Sequence, residues 1–292
     1  MLSVDYIKGK SPLSPNNVVY QSMKGMIQMS ENDSILQGAE EFYFEGNDVG
    51  VLVSHGFTGT TQSMAYLGKR FAEAGFTVYA PRLTGHGTTP EDMAKSTFEE
   101  WIKDVEAGLE KLKASCTTVF VAGLSMGGTL TLYLAERHPE IAGIMPINAA
   151  VHMPEFGAHY LSLKDVEDFV DGIGSDIKTE GIQELAYAKT PVQSMGELVQ
   201  LLKIVEDDLG KVTAPTLILS STVDHVVSPE NSQIIYDRIQ SNIKEIVKLE
   251  ESYHVATLDN DKELIAEKCI AFIQECNQLY RDSPTSPVKQ SR

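Results

Sequence analysis

The sequence predicts an α/β protein with a mostly parallel central sheet, helices on both faces and a small inserted cap. Three observations predict it. Short apolar runs without hydrophobic/polar alternation recur along the chain, separated by helical patterns, and strands of that kind are buried on both faces. One run leads directly into Gly-Leu-Ser-Met-Gly at residues 123–127, where a predicted strand meets a predicted helix. One stretch, 151–210, breaks the alternation.

Taken in order, residues 1–34 are polar and centre on Ser11-Pro12-Leu13-Ser14-Pro15-Asn16-Asn17. They read as a loosely held N-terminal extension in which Val18-Val19-Tyr20 and Met23 to Met29 can dock as a short helix. The core is expected over 35–150 and 211–281. Glu41-Phe42-Tyr43-Phe44 adds an antiparallel strand near the edge. The β-rich runs are Val51 to Val53, Phe76 to Tyr79, Thr118 to Ala122, Gly143 to Ile147, Thr216 to Leu219 and Glu245 to Leu249. Helical patterns cover Ser63 to Ala74, Thr97 to Lys113, Met126 to His138, Pro229 to Ile239 and Asp261 to Cys276. Residues 151–210 hold no convincing buried strand. Inserted after the strand ending at Ile147, they would lie above the carboxyl ends of the strands as a cap. A disordered excursion is the alternative, but Phe156, Leu161, Phe169, Ile173, Leu198, Leu201 and Leu202 argue for packing. Residues 282–292 carry two prolines and little that is apolar, and read as a disordered tail.

The chain has 292 residues, with 24 basic against 41 acidic side chains and a net charge of −17. That balance disfavours nucleic acid and anionic membrane surfaces and suits a neutral substrate. Its blander meaning is solubility. No stretch approaches the ~18 apolar residues of a membrane span. The first eight residues lack a signal-peptide core. The cysteines number three. Cys269 and Cys276 share one predicted helix and lie about 10 Å apart along its axis, beyond the reach of a disulfide. All three read as reduced packing thiols in a cytoplasmic protein, with no metal-ligand spacing near them.

The 123–127 pattern names a nucleophile. A serine between strand and helix sits on a sharp, strained turn with its hydroxyl exposed, and the flanking glycines avoid Cβ collisions. The alternative is a Gly-Ser turn that merely links two elements. A serine hydroxyl needs a general base, and an acid to fix the base's tautomer. The expected chain order is serine, acid, histidine. Of seven histidines, His55 and His86 precede Ser125. His138 ends the helix that begins at the elbow, and His152 and His159 fall in the cap. His254 follows the strand ending at Leu249, in a loop at a strand's carboxyl end, where catalytic groups gather. Asp224 lies in the matching loop before Pro229, although it also suits a turn or a helix cap. Asp259 and Asp261 lie after the histidine, in the wrong order. His225 reads as structural. The catalytic set is therefore Ser125, Asp224 and His254.

A tetrahedral intermediate needs two N–H donors. Met126, the residue after the nucleophile, supplies one. The loop His55 to Thr60 supplies the other, with Phe57 chosen as donor and its ring as a wall of the acyl pocket. His55 is expected to brace that loop. Thr84-Gly85-His86-Gly87 lacks the lysine of a phosphate cradle and reads as a tight loop bordering the site.

With these residues in place the chain resembles an α/β-hydrolase, and more narrowly the Bacillus-type monoacylglycerol lipases and their carboxylesterase relatives. The resemblance covers roughly residues 37–278. It rests on His55 to Thr60, Pro81 to Gly87, Gly123 to Gly128 and Pro146 to Ala150. It continues through Ile173 to Asp176, Glu184 to Tyr187, Asp224 to Val227 and Ser252 to Thr257. It implies a small helical cap, an apolar acyl channel and a polar glycerol pocket. In that family a cap glutamate and a neighbouring isoleucine contribute to glycerol recognition, and Glu184 and Ile173 fall at the matching places. By residue type alone Glu184 is a solvated helix-face charge. The N-terminal extension departs from the family pattern. The resemblance implies hydrolysis of monoacylglycerols to glycerol and fatty acid, with a small lipid ester as substrate and no metal or cofactor. Two alternatives stand beside it: a broad carboxylesterase on short- or medium-chain esters, and a non-catalytic hydrolase-fold binding protein.

Overall fold

The computed structural model describes residues 35–282. The N-terminal extension read over 1–34 and residues 283–292 of the tail lie outside the described residues. From Leu36 onward the chain forms one unit around a seven-stranded sheet.

The strands are β1 (Phe42–Phe44), β2 (Val49–Ser54), β3 (Thr77–Ala80), β4 (Thr118–Leu124) and β5 (Gly143–Ile147). A separate pair follows, β6 (Phe169–Asp171) and β7 (Lys189–Pro191), and then β8 (Thr216–Ser221) and β9 (Lys244–Leu249). The sheet order is β1-β3-β2-β4-β5-β8-β9. Every pairing in it is parallel except β1 with β3, so the edge strand expected near Phe42 is antiparallel.

The absence of alternation has a direct cause. On β4, Val119 and Val121 enter one apolar cluster while Phe120, Ala122 and Leu124 enter the other. Both faces of the strand are buried, so both sets of side chains must be apolar. Helices α1 (Gln62–Glu73) and α8 (Lys262–Asp282) cover the second cluster with Leu67, Phe71, Ile265 and Ile273. The first cluster is covered by α3 (Phe98–Lys113), α4 (Met126–Arg137) and α6 (Val192–Asp208), and also takes in Ile235 of α7 (Glu230–Arg238). The short α2 (Pro90–Met93) and α5 (Pro154–Leu163) complete the eight described α-helices. Thr97 starts α3 with a capping box: its side chain accepts from the Glu100 N–H, and the Glu100 carboxylate accepts from the Thr97 N–H. Such a cap contributes about 1 kcal/mol.

Three features differ from the sequence reading. Helix α8 runs six residues past Cys276, to Asp282. Arg281 on that last turn donates to both Asp48 oxygens, at 2.7 and 2.8 Å, which ties the helix end to the start of β2. The 151–210 segment does hold strands, β6 and β7, paired antiparallel over three residues each. They are too short to leave a periodic signal. Its apolar side chains also divide. Leu198, Leu201 and Leu202 on α6 are buried with the core, whereas Leu161 and Ile173 are 62% and 56% exposed.

Candidate active site

Residues that follow β2, β4, β5, β8 and β9 line one cleft together with residues of the 151–210 segment. There the chain bends sharply. Thr58, Ser125 and Asn148 are the non-glycine residues with positive φ among those described, at 60°, 56° and 43°. Each such conformation costs about 1–3 kcal/mol and persists only where its surroundings enforce it.

At Ser125 the enforcement is visible. The residue joins β4 to α4 with φ 56° and ψ −118°. Its N–H donates to the Ile147 carbonyl at 2.9 Å. A Cβ on Gly123 would lie 2.1 Å from the Gly127 carbonyl oxygen, and one on Gly127 would lie 2.2 Å from the Ser54 carbonyl oxygen. Both partners are backbone, so the turn closes only with glycine at these positions. The sequence reading of the two flanking glycines thus has a geometric cause.

Asp224 lies between β8 and α7, and His254 follows β9. His254 Nδ1 meets Asp224 Oδ2 at 2.8 Å, and both side chains are nearly buried. The other carboxylate oxygen, Oδ1, accepts from the N–H groups of Val226 and Val227, each at 2.8 Å. Because a carboxylate only accepts, Nδ1 carries the proton and Nε2 is left as the acceptor. Ser125 and His254 line one cleft of about 600 Å³, its open mouth included. No hydrogen bond joins them among the described residues. Such contacts commonly tighten only with substrate bound.

Around Ser125 the cleft is walled by Gly56, Phe57, Thr58 and Met126. Met126 is the first residue of α4, so its N–H has no intrahelical partner. A Cβ on Gly56 would stand 3.2 Å from the Ser125 Cβ, which shows how closely the loop approaches Ser125. His55 does brace this loop. It accepts from the Leu83 N–H at Nε2 (3.2 Å), which leaves Nδ1 to donate to the Gly56 carbonyl (3.0 Å). Burial drives its pKa down to about 4, so the ring is neutral. His86 packs against it at 5.1 Å and is also held neutral by burial. The 84–87 loop differs from its reading. It stands behind His55 and meets the Tyr187 hydroxyl through the Gly85 carbonyl (2.8 Å), and it is absent from the cleft wall.

The remaining wall is apolar with a polar corner. Met153, Phe156, Leu198, Val226, Val227 and Val255 supply the apolar part. The Phe57 ring joins them, edge-on to Phe156 at 6.4 Å and to Trp101 at 6.1 Å. Ile173, Asp176 and Glu184 come from the 151–210 segment. The Glu184 residue is partly exposed, but its carboxylate turns inward: Oε1 lies 2.5 Å from where a Cβ on Gly59 would be. Burial pushes its pKa up to about 7, opposed by His254 and by the Ser63 hydroxyl. Among the described residues no cluster of His, Cys, Asp or Glu has the arrangement of a metal site. A separate groove between α7 and β9, lined by Ser232, Tyr236, Lys244 and Lys248, contains no nucleophile–base–acid set.

The structure adds residues that the sequence reading missed. The Asn148 side chain accepts from the Ser221 N–H (2.7 Å) and donates to the Ser221 hydroxyl (2.9 Å) and the His254 carbonyl (2.8 Å). It thereby joins the ends of β5 and β8 to the His254 loop. An asparagine directly after a predicted strand was the available signal, since asparagine tolerates positive φ. Asp259, set aside above as an acid, accepts instead from the N–H groups of Lys178, Thr179 and Tyr253. Asp261 accepts from the Glu251 N–H. His138 and His152 pair with glutamates away from the cleft.

Residues 47–170 and 181–261 match the Hydrolase_4 family, described as serine aminopeptidase, S33. The chain is 51% identical over 244 residues to a thermostable monoacylglycerol lipase of Bacillus sp. (strain H-257), covering 84% of this chain and 98% of the relative. It is 32% identical over 239 residues to a carboxylesterase of Bacillus subtilis (strain 168), covering 80% and 96%. Among solved structures, a chain from the work on the metagenome-derived lipolytic enzymes LipS and LipT superposes with a TM-score of 0.80 at 51% identity, covering 82% and 99%.

Proposed function

The chain belongs to the Hydrolase_4 family of serine hydrolases and has the α/β-hydrolase fold, and from that premise we propose that it cleaves the ester bond of monoacylglycerols through an acyl-enzyme. One observation carries the chemistry: Ser125 and His254, distant in sequence, line one cleft, and the Asp224 carboxylate meets His254 Nδ1 at 2.8 Å.

In this reading Ser125 attacks the ester carbonyl while His254 Nε2 takes its proton. Asp224 holds the imidazole in that tautomer and stabilises the imidazolium. The N–H groups of Phe57 and Met126 receive the oxyanion. His254 then protonates the departing glycerol oxygen and activates water to release the fatty acid. The apolar wall takes the acyl chain. The polar corner takes the alcohol, with the Glu184 carboxylate accepting from glycerol hydroxyls beside Ile173. A buried acceptor left unpaired would penalise alcohols that lack hydroxyls. The 151–210 segment acts as the cap that carries this corner. Side chains and backbone donors suffice, so no metal or cofactor enters a step. Three buried free thiols support a reducing, cytoplasmic location. Among the described residues no helix is long and apolar enough to cross a membrane.

Ser125→Ala tests the chemistry. We expect kcat to fall by on the order of 10⁶, with a serine-directed phosphonate failing to label the variant while labelling the wild type. Full activity in the variant would remove Ser125 from the mechanism.

A further inference from the structure

In the 151–210 segment, Asp176 meets both the Asp224 loop and the His254 loop through its carboxylate. Residues 172–177 belong to no helix or strand, so no regular ladder fixes them. Asp176 Oδ2 accepts from the backbone N–H of His225 and from that of His254, each at 3.1 Å. Its Oδ1 meets His225 Nδ1 at 2.8 Å. Its own carbonyl accepts from the Val255 N–H at 3.1 Å. One side chain thus grips the residue after the acid Asp224 and the base His254 itself.

The spacing of that pair needs such a grip. Asp224 and His254 lie thirty residues apart, on the loops after different strands. Besides their own bond, the Ser221 hydroxyl donates to the Tyr253 carbonyl at 2.8 Å. With Asp176 present, the His254 backbone is held on both sides, by Asp176 at its N–H and by Asn148 at its carbonyl. The His225 ring packs edge-on against Tyr253 at 4.7 Å, a further tie between the loops. The segment bearing Asp176 is itself anchored from the histidine loop by Asp259, through the N–H groups of Lys178 and Thr179. Burial of Asp176 favours its neutral form, but hydrogen bonds from His225 and His254 outweigh that and hold its carboxyl below the usual range. It is therefore an anion, able to accept at both oxygens.

We propose that Asp176 is a positioning residue for the ester hydrolysis proposed above: it fixes the acid–base spacing from the cap side. The inference rests on that reading. A displacement of about 1 Å in a catalytic group can cost roughly 100-fold in rate.

The test uses the full chain as wild type, Asp176→Ala and Asp176→Asn, each checked for folding by thermal melting. In Asp176→Ala we expect kcat to fall about 10- to 100-fold on both a monoacylglycerol and its chain-matched methyl ester, with KM little changed. Inactivation by a serine-directed phosphonate should slow by the same factor. Asp176→Asn keeps an acceptor oxygen for the two backbone N–H groups and should recover most of the rate. Wild-type kcat and inactivation rate in folded Asp176→Ala would overturn the proposal, as would a loss confined to KM, or an Asp176→Asn as slow as Asp176→Ala. Should Asp176→Ala fail to fold, His225→Phe removes the Oδ1 anchor while keeping a ring against Tyr253. A several-fold fall in its kcat supports the proposal and wild-type kcat overturns it. A wild type that the phosphonate does not label would instead count against the proposed function.

Discussion

The floor and the wall of the cleft are built by different means. The floor is backbone: Ser125 hangs from the Ile147 carbonyl, and Gly127 lies so close to the Ser54 carbonyl that no side chain fits between. It inherits its positions from the sheet, whose strands cannot slide without exposing both of their buried faces. The wall around residues 173–187 has no such ladder. Scattered bonds hold it: Asp176 and Asp259 join it to the His254 loop, Gln62 accepts from the Leu185 N–H, and the Glu184 carboxylate turns inward against Gly59. On the proposed function, the attack chemistry lies in the floor, where errors are backbone errors, and the choice of alcohol lies in the wall, which side-chain changes can retune without disturbing the sheet.

If that division holds, the largest effect falls on the floor. Gly127→Ala should reduce turnover on every ester to near background and destabilise the fold by about 1–3 kcal/mol, because the new Cβ meets backbone oxygens of Ser54 and His55 at 2.2 and 2.6 Å. Thermal melting and ester turnover read it, and a variant that hydrolyses esters at the wild-type rate would show that the floor is not rigid.

A smaller, selective effect belongs to the wall. Burial raises the Glu184 pKa to about 7, so the carboxyl is mostly neutral below that pH and ionised above it. Only the ionised form accepts at both oxygens. The preference for a glycerol ester over its methyl ester should therefore rise by up to roughly 10-fold as pH increases through 7. Glu184→Ala should lower the preference and flatten this dependence while sparing the methyl ester. Comparing the two esters at each pH cancels any pH dependence common to both. An equal loss on both esters would move Glu184 from alcohol recognition into the general machinery.

The same contrast explains what the sequence could disclose. Strands buried on both faces must be apolar throughout, so β2, β4, β5 and β8 were legible from short runs of residues. The elbow was legible because its glycines are forced by local geometry, and chain order then singled out Asp224 and His254. Asn148 and Asp176 were not legible in their roles. Each acts on partners more than 45 residues away, through backbone N–H and carbonyl groups that every residue possesses. The extension of α8 depends likewise on Arg281 meeting Asp48, a contact spanning 233 positions. Exposure of Leu161 and Ile173 escaped the pattern because hydrophobicity favours burial without saying which apolar side chains a given fold leaves outside.

On the proposed function this wall reads the alcohol. Wild-type kcat/KM for a medium-chain monoacylglycerol against the methyl ester of the same acyl chain tests it. A strong preference for the glycerol ester is the predicted result. Near-equal values would contradict it, leaving a cleft that reads only the acyl chain and a protein that acts as a carboxylesterase.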